Sequence, residues 1–346
     1  MGEAAVRHRG NASRRLVAGV GEAREETRGR PPAEREPVTL IVTVRNEEAS
    51  IDALLDSLLA GTRAPDEIVV ADGGSTDVTP DRLRARAATD SRVRWLDAPG
   101  NRSVGRNAAI RAARSALIAC TDAGVQVEPE WLERITAPFT DPGVDVVAGF
   151  YRPVGKTWFE RAAGVISAPH LSEIDRERFL PSTRSVAFRR AAWERVGGFD
   201  ERWDHNEDTP FALALKKAGF RFAFAPDAVV QWHPRGDLRS FWRQHRRFGY
   251  GDGESRVQGS FYATIAAKYA LAAALFAAGF WFRPAWWLLA AGLLFFVVSQ
   301  ARRARGRAGP VVALLAVPAL KVAYDAAYLW GYARGTMGAG ARKGVS

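Results

Sequence analysis

The first clear pattern of apolar and polar positions runs from Val38 to Asp72. Val38 to Val44 is a β-branched apolar run, which is typical of a buried parallel strand. Isoleucine and leucine then recur at helical spacing, which predicts an amphipathic helix. A second apolar strand, Glu67 to Ala71, stops at the carboxylate of Asp72. The apolar face of the predicted helix consists of Ile51, Leu54, Leu55, Leu58 and Leu59.

The order strand, helix, strand predicts an α/β domain with a mostly parallel sheet flanked by helices. Ligands of such sheets bind outside the carboxyl ends of the strands. Asp72 and the Arg45–Glu47 turn are therefore expected to face one crevice, where Gly73 and Gly74 allow the backbone to approach a ligand closely. This pattern predicts a nucleotide pocket.

The pattern changes after residue 259 to long apolar runs. Phe261 to Phe282 contains one charge, Lys268, near its end, and is long enough to cross a bilayer. Ala285 to Val298 is shorter and begins with two tryptophans, as expected of an interfacial aromatic belt. The two runs predict a helical hairpin in a membrane. A buried soluble helical domain is the alternative.

A third apolar run, Pro310 to Tyr332, is interrupted by Pro318, Lys321 and Asp325. Lys321 and Asp325 can pair one helical turn apart, so the sequence leaves two or three membrane spans open. Arginines fill the loop before this run, and the positive-inside rule places that loop in the cytosol. They are Arg302, Arg303, Arg305 and Arg307.

Length and composition allow one large α/β domain and a second region, since the chain has 346 residues and 47% hydrophobic content. The formal charge of +11 suits either nucleic acid or an anionic membrane face, and the apolar C-terminal third favours the membrane. The single cysteine, Cys120, excludes an internal disulfide.

Four regions follow from these patterns. Residues 1–36 mix arginine with glutamate and are expected to be a disordered tail; Leu16 to Val20 is too short for the apolar core of a signal peptide. Residues 37–259 form the α/β domain, expected in the cytosol. Residues 260–333 form the membrane region, and residues 334–346 are expected to be a second disordered tail.

Three motifs in order resemble a known family: VTVRNEE at the first turn, DEIVVADGGSTD, and the later EDTPF. Together they resemble the family 2 glycosyltransferases of GT-A fold, particularly the bacterial ExoA-like cell-envelope group, over residues 37–253. The resemblance implies a hexosyltransferase that is attached to the cytoplasmic membrane by several spans. Its partners would be a nucleotide-sugar donor, a lipid-linked or envelope glycan acceptor, and the bilayer.

The resemblance implies a donor site made of Thr43, Arg45, Glu47 and Asp72, with Glu47 and Asp72 accepting hydrogen bonds from the nucleoside. Arg106 opens an alanine-rich helix in the sequence, and its guanidinium is expected to reach the diphosphate with the helix amides. The alternatives are a solvated Glu47, a turn-forming Asp72 and a plain surface Arg106.

A further predicted strand, Ala116 to Cys120, ends at Thr121-Asp122-Ala123-Gly124, where the family has its DxD signature. Asp122 matches, but Gly124 removes one carboxylate ligand. A divalent cation, Mg²⁺ or Mn²⁺, is expected at Asp122, although the missing carboxylate leaves metal dependence open. His233 is a candidate second ligand, and a histidine packed beside Trp232 is the alternative.

Glu207 and Asp208 stand before a helix, where the helix dipole is expected to lower the pKa of a carboxylate. The resemblance implies that Asp208 is the general base of an inverting transfer, supported by Glu207; ordinary N-terminal helix acids are the alternative. Arg246 and Arg247 precede the first membrane run, and can meet donor phosphates, an anionic lipid-linked acceptor or acidic headgroups.

Three other protein classes compete with this interpretation. A membrane-tethered pseudoenzyme would keep the nucleotide-sugar pocket without turnover, but the chain retains Asp208. A dinucleotide-dependent oxidoreductase needs G-x-G-x-x-G after the first strand, where VTVRNEE stands. Nucleic acid is not expected as a partner, because the basic residues are dispersed or lie next to the apolar runs and match no DNA or RNA module.

Overall fold

The computed structural model describes residues 35–177, 179–203 and 205–343, with an eight-stranded mixed sheet at the centre. The strands are β1 (Val38–Val44), β2 (Glu67–Asp72), β3 (Val93–Asp97), β4 (Leu117–Asp122), β5 (Val125–Val127), β6 (Val146–Pro153), β7 (Val186–Arg189) and β8 (Phe222–Trp232). Their order across the sheet is β3-β2-β1-β4-β7-β6-β8-β5. The first four run parallel, and β7 is antiparallel to both of its neighbours. The predicted mostly parallel α/β sheet is confirmed.

Helices cover both faces of this sheet and continue beyond it. They are α1 (Ile51–Leu59), α2 (Thr79–Thr89), α3 (Arg102–Ala112), α4 (Trp131–Thr136), α5 (Trp158–Ser167), α6 (Arg190–Arg195), α7 (Asp208–Lys217), α8 (Leu238–Ser255), α9 (Gly259–Ala278), α10 (Pro284–Arg303) and α11 (Val317–Lys343). A π-helical turn, Val312–Ala316, precedes α11. It lies just before Pro318, which has no amide hydrogen for a regular helical bond.

The core divides into two layers because strand side chains alternate between the faces of the sheet. On one face, Val38, Leu40 and Val42 of β1 pack with the apolar side of α1. On the other face, Ile41 packs in a layer that contains Ile110 of α3. The strand bounds predicted for β1 agree with the structure, and β2 and β4 each continue to the aspartate that follows the apolar run.

Three helical segments are long and apolar enough to cross a membrane: residues 259–278, 284–303 and 312–338. The first predicted run is shorter as a helix than in the sequence, since α9 ends at Ala278 and Phe282 lies in the following turn. The predicted pair between Lys321 and Asp325 is present. Asp325 is fully buried and also accepts a hydrogen bond from Lys268 Nζ of α9 at 2.6 Å.

The third segment differs from the other two because α11 packs along α8. A Cβ atom on Gly249 would lie 2.4 Å from the Tyr328 carbonyl oxygen, and one on Gly331 would lie 2.1 Å from that of Arg246. Only glycine permits so close a crossing of two helix backbones. Residues 334–343 continue α11, so the predicted disordered tail at 334–346 was wrong there. Residues 344–346 and nearly all of the predicted tail at 1–36 lie outside the described residues.

Candidate functional site

The carboxyl ends of β2, β1 and β4 lie side by side and carry the first predicted site residues. Thr43 is the register partner of Asp122, and Val44 is the partner of Asp72. Since β1 separates the two aspartates, they stand two strand spacings apart, roughly 10 Å. Asp72 is buried, and its Oδ1 accepts hydrogen bonds from Ser75 N at 3.0 Å and Ser75 Oγ at 2.7 Å. The turn-forming role weighed for Asp72 is therefore present.

The turn after β1 brings Glu47 toward the end of β4. Its backbone N donates to Thr79 Oγ1 at 2.9 Å, and its carboxylate accepts from Ser50 Oγ. The Oε2 atom of Glu47 lies 4.0 Å from the position that a Cβ on Gly124 would occupy. Arg45, in the same turn, is exposed. Glu47 and residue 124 are therefore neighbours at the end of β4, where Thr43 pairs with Asp122.

Arg106 differs from its predicted placement. Helix α3 begins at Arg102, so the expectation that Arg106 opens the helix was wrong; it lies in the second turn and is only 1% exposed. Its Nη2 donates to Asp122 Oδ1 at 2.8 Å, and its Nη1 donates to the Glu207 carboxylate. The guanidinium thus joins two predicted site residues instead of projecting into solvent.

Glu207 and Asp208 lie at the start of α7, as predicted. Asp208 Oδ2 accepts a hydrogen bond from Ser182 Oγ at 3.2 Å. Burial, and then the charge of Glu207, raise the pKa of Asp208, while Arg106 and Arg184 oppose the rise. The expected lowering by the helix dipole was wrong, because loss of hydration disfavours the carboxylate more than the helix terminus favours it. A raised pKa makes Asp208 a better proton acceptor.

Arg184 is a site residue that the sequence did not reveal. Its Nε lies 3.9 Å from Asp122 Oδ2. Its guanidinium carbon lies 5.2 Å from the ring centroid of Tyr151 and 5.3 Å from that of Trp232. The three residues come from separate parts of the chain, so no local pattern indicates their contact. The two aromatic rings stabilise the Arg184 guanidinium, which places a positive charge beside Asp122.

The charge of Asp122 is stabilised by its surroundings. Burial acts against ionisation, but Arg106, Arg184 and Arg102 outweigh it and hold the pKa of Asp122 below its ordinary value. The Asp122 side chain is 26% exposed. An ionised and accessible carboxylate at the end of β4 can receive a cation or a hydroxyl donor.

The side chains at this place can hold a metal only in part. Asp122 Oδ1 accepts the Arg106 hydrogen bond, and Oδ2 faces Arg184 at 3.9 Å, beyond hydrogen-bond distance. Gly124 supplies no side-chain ligand, and exposed His233 directs Nδ1 to the Val154 carbonyl oxygen at 3.1 Å. Within the described ranges, no three His, Cys, Asp or Glu side chains form a group that could hold a metal. One protein oxygen completed by donor oxygens and waters fits the coordination habit of Mg²⁺.

Arg246 and Arg247 lie elsewhere, on the exposed side of α8. With Tyr250 they line a cavity of about 430 Å³ between α8 and α11. Their neighbour His245 is buried, and burial lowers its pKa to about 4, so it packs as a neutral ring. The two arginines are thus separate from the group formed by Asp122, Arg106 and Glu207.

Sequence comparison finds relatives among sugar-transferring proteins. Residues 39–203 match the profile of the family described as glycosyl transferase family 2. The chain is 29% identical over 228 residues to the succinoglycan biosynthesis protein ExoA of Rhizobium meliloti, covering 63% of this chain and 68% of that protein. It is 27% identical over 221 residues to the glycosyltransferase AglE of Haloferax volcanii, covering 62% and 72% of the two chains.

Structural comparison supports the same fold. The mannosyltransferase PcManGT of Pyrobaculum calidifontis, solved in complex with GDP-Man and Mn²⁺, superposes with a TM-score of 0.62 at 23% identity. The alignment covers 86% of this chain and 88% of that one. The similarity therefore extends past the sheet into the C-terminal helices.

Proposed function

We propose that the chain, whose residues 39–203 match the family 2 glycosyltransferase profile, transfers a sugar, with inversion, from a nucleotide-diphosphate sugar to a lipid-linked glycan of the cell envelope. The observation that carries this proposal is the joining of Asp122 and Glu207 by Arg106, which brings the end of β4 to the start of α7 beside Asp208. One end of this group can meet a diphosphate, and the other can accept a proton.

The donor nucleoside lies across the ends of β2 and β1. The nucleoside is bordered by Thr43 at the end of β1 and by Arg45 and Glu47 in the turn that follows. Asp72 lies beside it at the end of β2. The separation of roughly 10 Å between Asp72 and Asp122 suits a nucleotide that spans from its base to its diphosphate. The succinoglycan relative favours a donor used in polysaccharide synthesis.

The diphosphate meets Arg184, and Asp122 would hold a divalent cation beside it. The cation supplies charge neutralisation on the leaving diphosphate. The Arg184 guanidinium lies over the rings of Tyr151 and Trp232, so it can interact with phosphate oxygens without losing much side-chain freedom on binding. Arg106 is buried and acts by positioning Asp122 and Glu207.

The reaction is a single displacement. The acceptor oxygen forms a bond to the anomeric carbon while the bond from that carbon to the diphosphate oxygen breaks, and the nucleoside diphosphate leaves with the electron pair. The acceptor proton passes to Asp208, whose raised pKa makes the carboxylate a competent base. Attack opposite the leaving group inverts the anomeric configuration.

The membrane attachment consists of α9 and α10 as two crossings. Each has 20 residues, about 30 Å of helix, which matches the hydrocarbon core of a bilayer. The two helix ends that face the domain are anchored to the rest of the chain. Tyr262, near the start of α9, is buried. Arg307, which follows the end of α10, donates a hydrogen bond to the Ala168 carbonyl oxygen at 2.9 Å. The domain and the arginine loop therefore share the cytosolic side. Helix α11 packs along α8 and pairs with α9 through Asp325 and Lys268, so it links the domain to the first crossing.

The test uses the purified full chain in detergent with membrane lipid extract as the acceptor and a panel of labelled sugar nucleotides. We expect the sugar label to enter the lipid fraction and nucleoside diphosphate to be released in equal amount. Asp208→Asn should reduce turnover at least a hundredfold, as expected for loss of a general base. Asp81→Asn is the matched control, since Asp81 is an exposed carboxylate paired with Arg84 on α2.

Two results would contradict the proposal. Equal background turnover by the natural chain and Asp208→Asn across all donors supports the pseudoenzyme, which Gly124 makes the second candidate. Retention of the donor's anomeric configuration in the product, measured by NMR, excludes the single displacement.

A further inference from the structure

The cavity between α8 and α11 is not used by the donor chemistry. Its volume is about 430 Å³, and its wall contains three arginines, three aromatic or imidazole rings and one glycine. These residues are His205, Arg246, Arg247, Tyr250, Trp330, Gly331 and Arg334. Arg246 and Arg247 come from α8, and Arg334 comes from α11, so the cationic wall exists only where the two helices cross.

The three arginines place positive charge around the cavity, and the described carboxylates do not neutralise it. Within 35–343, apart from the two undescribed positions, none of their guanidinium groups has an ion pair or a hydrogen bond. Several like charges around one concave space raise the local potential and favour an anion there. Guanidinium groups match phosphate oxygens in geometry, and they are less strongly hydrated than ammonium groups.

The cavity lies at the level where the first membrane helix begins. Tyr332, one residue after Gly331, stacks on Tyr262 of α9 with ring centroids 3.9 Å apart. Gly259, the first residue of α9, would place a Cβ 3.3 Å from Tyr332 Oη. A phosphate in this cavity would therefore be at headgroup depth.

An exposed apolar stripe runs along α11 and passes the cavity. It contains Val322, Trp330 and Met337, spaced by eight and seven residues and thus on one side of the helix. Trp330 belongs both to this stripe and to the cavity wall. A hydrocarbon chain lying on the stripe would bring its phosphate to the three arginines.

One residue of the cavity wall lies close to the proposed base along the chain. His205 is three residues before Asp208, and its neighbour Asn206 donates a hydrogen bond to Asp252 of α8. Asp252 Oδ2 in turn accepts from Tyr262 Oη at 2.6 Å. The short segment between the cavity wall and Asp208 is therefore held against α8, at the residue that also binds Tyr262 of α9.

We propose that this cavity binds the phosphate or diphosphate group of a long-chain lipid that carries the acceptor glycan, with the lipid chain on the apolar stripe of α11. The inference rests on the proposed function and names the acceptor class for it. The glycan would extend from the phosphate along the 205–208 segment to Asp208.

Direct binding tests the site. The full chain in neutral detergent is titrated with labelled farnesyl diphosphate, with farnesol as the uncharged probe of the same chain. We expect farnesyl diphosphate to bind at least tenfold more tightly than farnesol, and inorganic pyrophosphate to compete. Arg246→Ala, Arg247→Ala and Arg334→Ala should each weaken binding about tenfold. Arg243→Ala is the control, because Arg243 is exposed on α8 outside the cavity.

Kinetics distinguishes an acceptor site from a general headgroup site. The three cavity variants should raise the KM for lipid acceptor about tenfold and leave the KM for sugar nucleotide unchanged. Phosphatidylglycerol vesicles should compete poorly with farnesyl diphosphate; competition at equal concentration would show a general anionic-lipid site and overturn the acceptor role. Equal binding by Arg243→Ala and the cavity variants would overturn the site itself.

The same measurements separate this inference from the proposed function. Donor turnover that depends on Asp208, together with lipid binding unaffected by the three arginines, removes the cavity proposal alone. Lipid binding that depends on the arginines, with no turnover of any donor, removes the transfer reaction and leaves the lipid site.

Discussion

Arg106 Nη2 lies 2.8 Å from Asp122 Oδ1, and the same guanidinium pairs with Glu207. This one buried side chain joins the end of β4 to the start of α7, which are distant along the chain. Its interaction with both carboxylates raises the pKa of Arg106 despite burial, so it stays charged. The position of Asp208 relative to Asp122 depends on this contact.

Replacing Arg106 should destabilise the protein and its site together. Arg106→Ala leaves Glu207, which is 5% exposed, without its buried partner. Breaking a buried pair in this way costs about 3–5 kcal/mol. We expect a lower melting temperature and loss of activity. Arg111→Ala on the same helix is the control: Arg111 is 62% exposed, and its pair with Glu201 is worth under about 1 kcal/mol. Equal melting temperatures of the two variants would show that the buried pair does not support the fold.

Arg184 should act on donor binding through its planar group. Arg184→Lys keeps the charge but loses the stacking on Tyr151 and Trp232. We expect the kcat/KM for sugar nucleotide to fall about tenfold with lysine and about a hundredfold with alanine. Arg195→Ala is the control, because Arg195 also lies over an aromatic ring, Phe220, but away from the site. Full activity of the Arg184→Lys variant would show that a positive charge alone is sufficient for donor binding and would contradict the role of the planar group.

The cation requirement should change when the missing carboxylate is restored. We expect EDTA to abolish transfer and Mg²⁺ or Mn²⁺ to recover it. Gly124→Asp adds a second carboxylate near Glu47 and should lower the cation concentration for half-maximal activity about tenfold. The backbone φ of +76° at Gly124 costs an aspartate roughly 1 kcal/mol.

The glycine at 197 provides the control for that experiment. Its φ is +81° and the space beside it is open, so Gly197→Asp introduces similar backbone strain away from the site. It should leave the cation dependence unchanged. Activity that persists in EDTA would reject the role of Asp122 in cation binding.

The pH dependence of transfer should report the raised pKa of Asp208. The base must be ionised, so activity is lost as the pH falls through a pKa above the ordinary value near 3.8. Arg184 opposes the rise, so Arg184→Gln should move the acid limb of kcat/KM to still higher pH, while Arg195→Ala leaves it in place. A shift toward lower pH would contradict the assignment of the limb to Asp208.

Stability should depend on pH through Asp252. Burial raises its pKa to about 6, against an unfolded value near 3.8, so the folded protein binds the proton more tightly. Its contribution is therefore greatest at low pH and falls as pH rises through 6. When the pH is lowered from 7.5 to 5, the free energy of unfolding of the natural chain should rise by about 1.4 kcal/mol relative to that of the Asp252→Asn variant. A pH-independent difference, measured by thermal unfolding in detergent, would contradict the raised pKa.

Much of the fold was predictable because its signals are local. The bounds of β1 agree with the β-branched run Val38 to Val44, because a strand covered on both faces reads as a nearly continuous run of such residues. The apolar face of α1 was predictable because its buried residues recur at helical spacing. The apolar C-terminal helices were predictable from length and composition, although Pro318 concealed that α11 is one continuous helix from Val317.

The sequence by itself determined the first parallel strands, the resemblance to family 2 glycosyltransferases and the candidate carboxylates, because strand patterns and ordered motifs are properties of neighbouring residues. Tertiary structure decided that Arg106 is a buried bridge, that Arg184 faces Asp122, and that Asp208 has a raised pKa. It also decided that α8 and α11 meet to form a cationic cavity. Charge interactions depend on distance and burial in space, and residues far apart along the chain acquire both only when it folds.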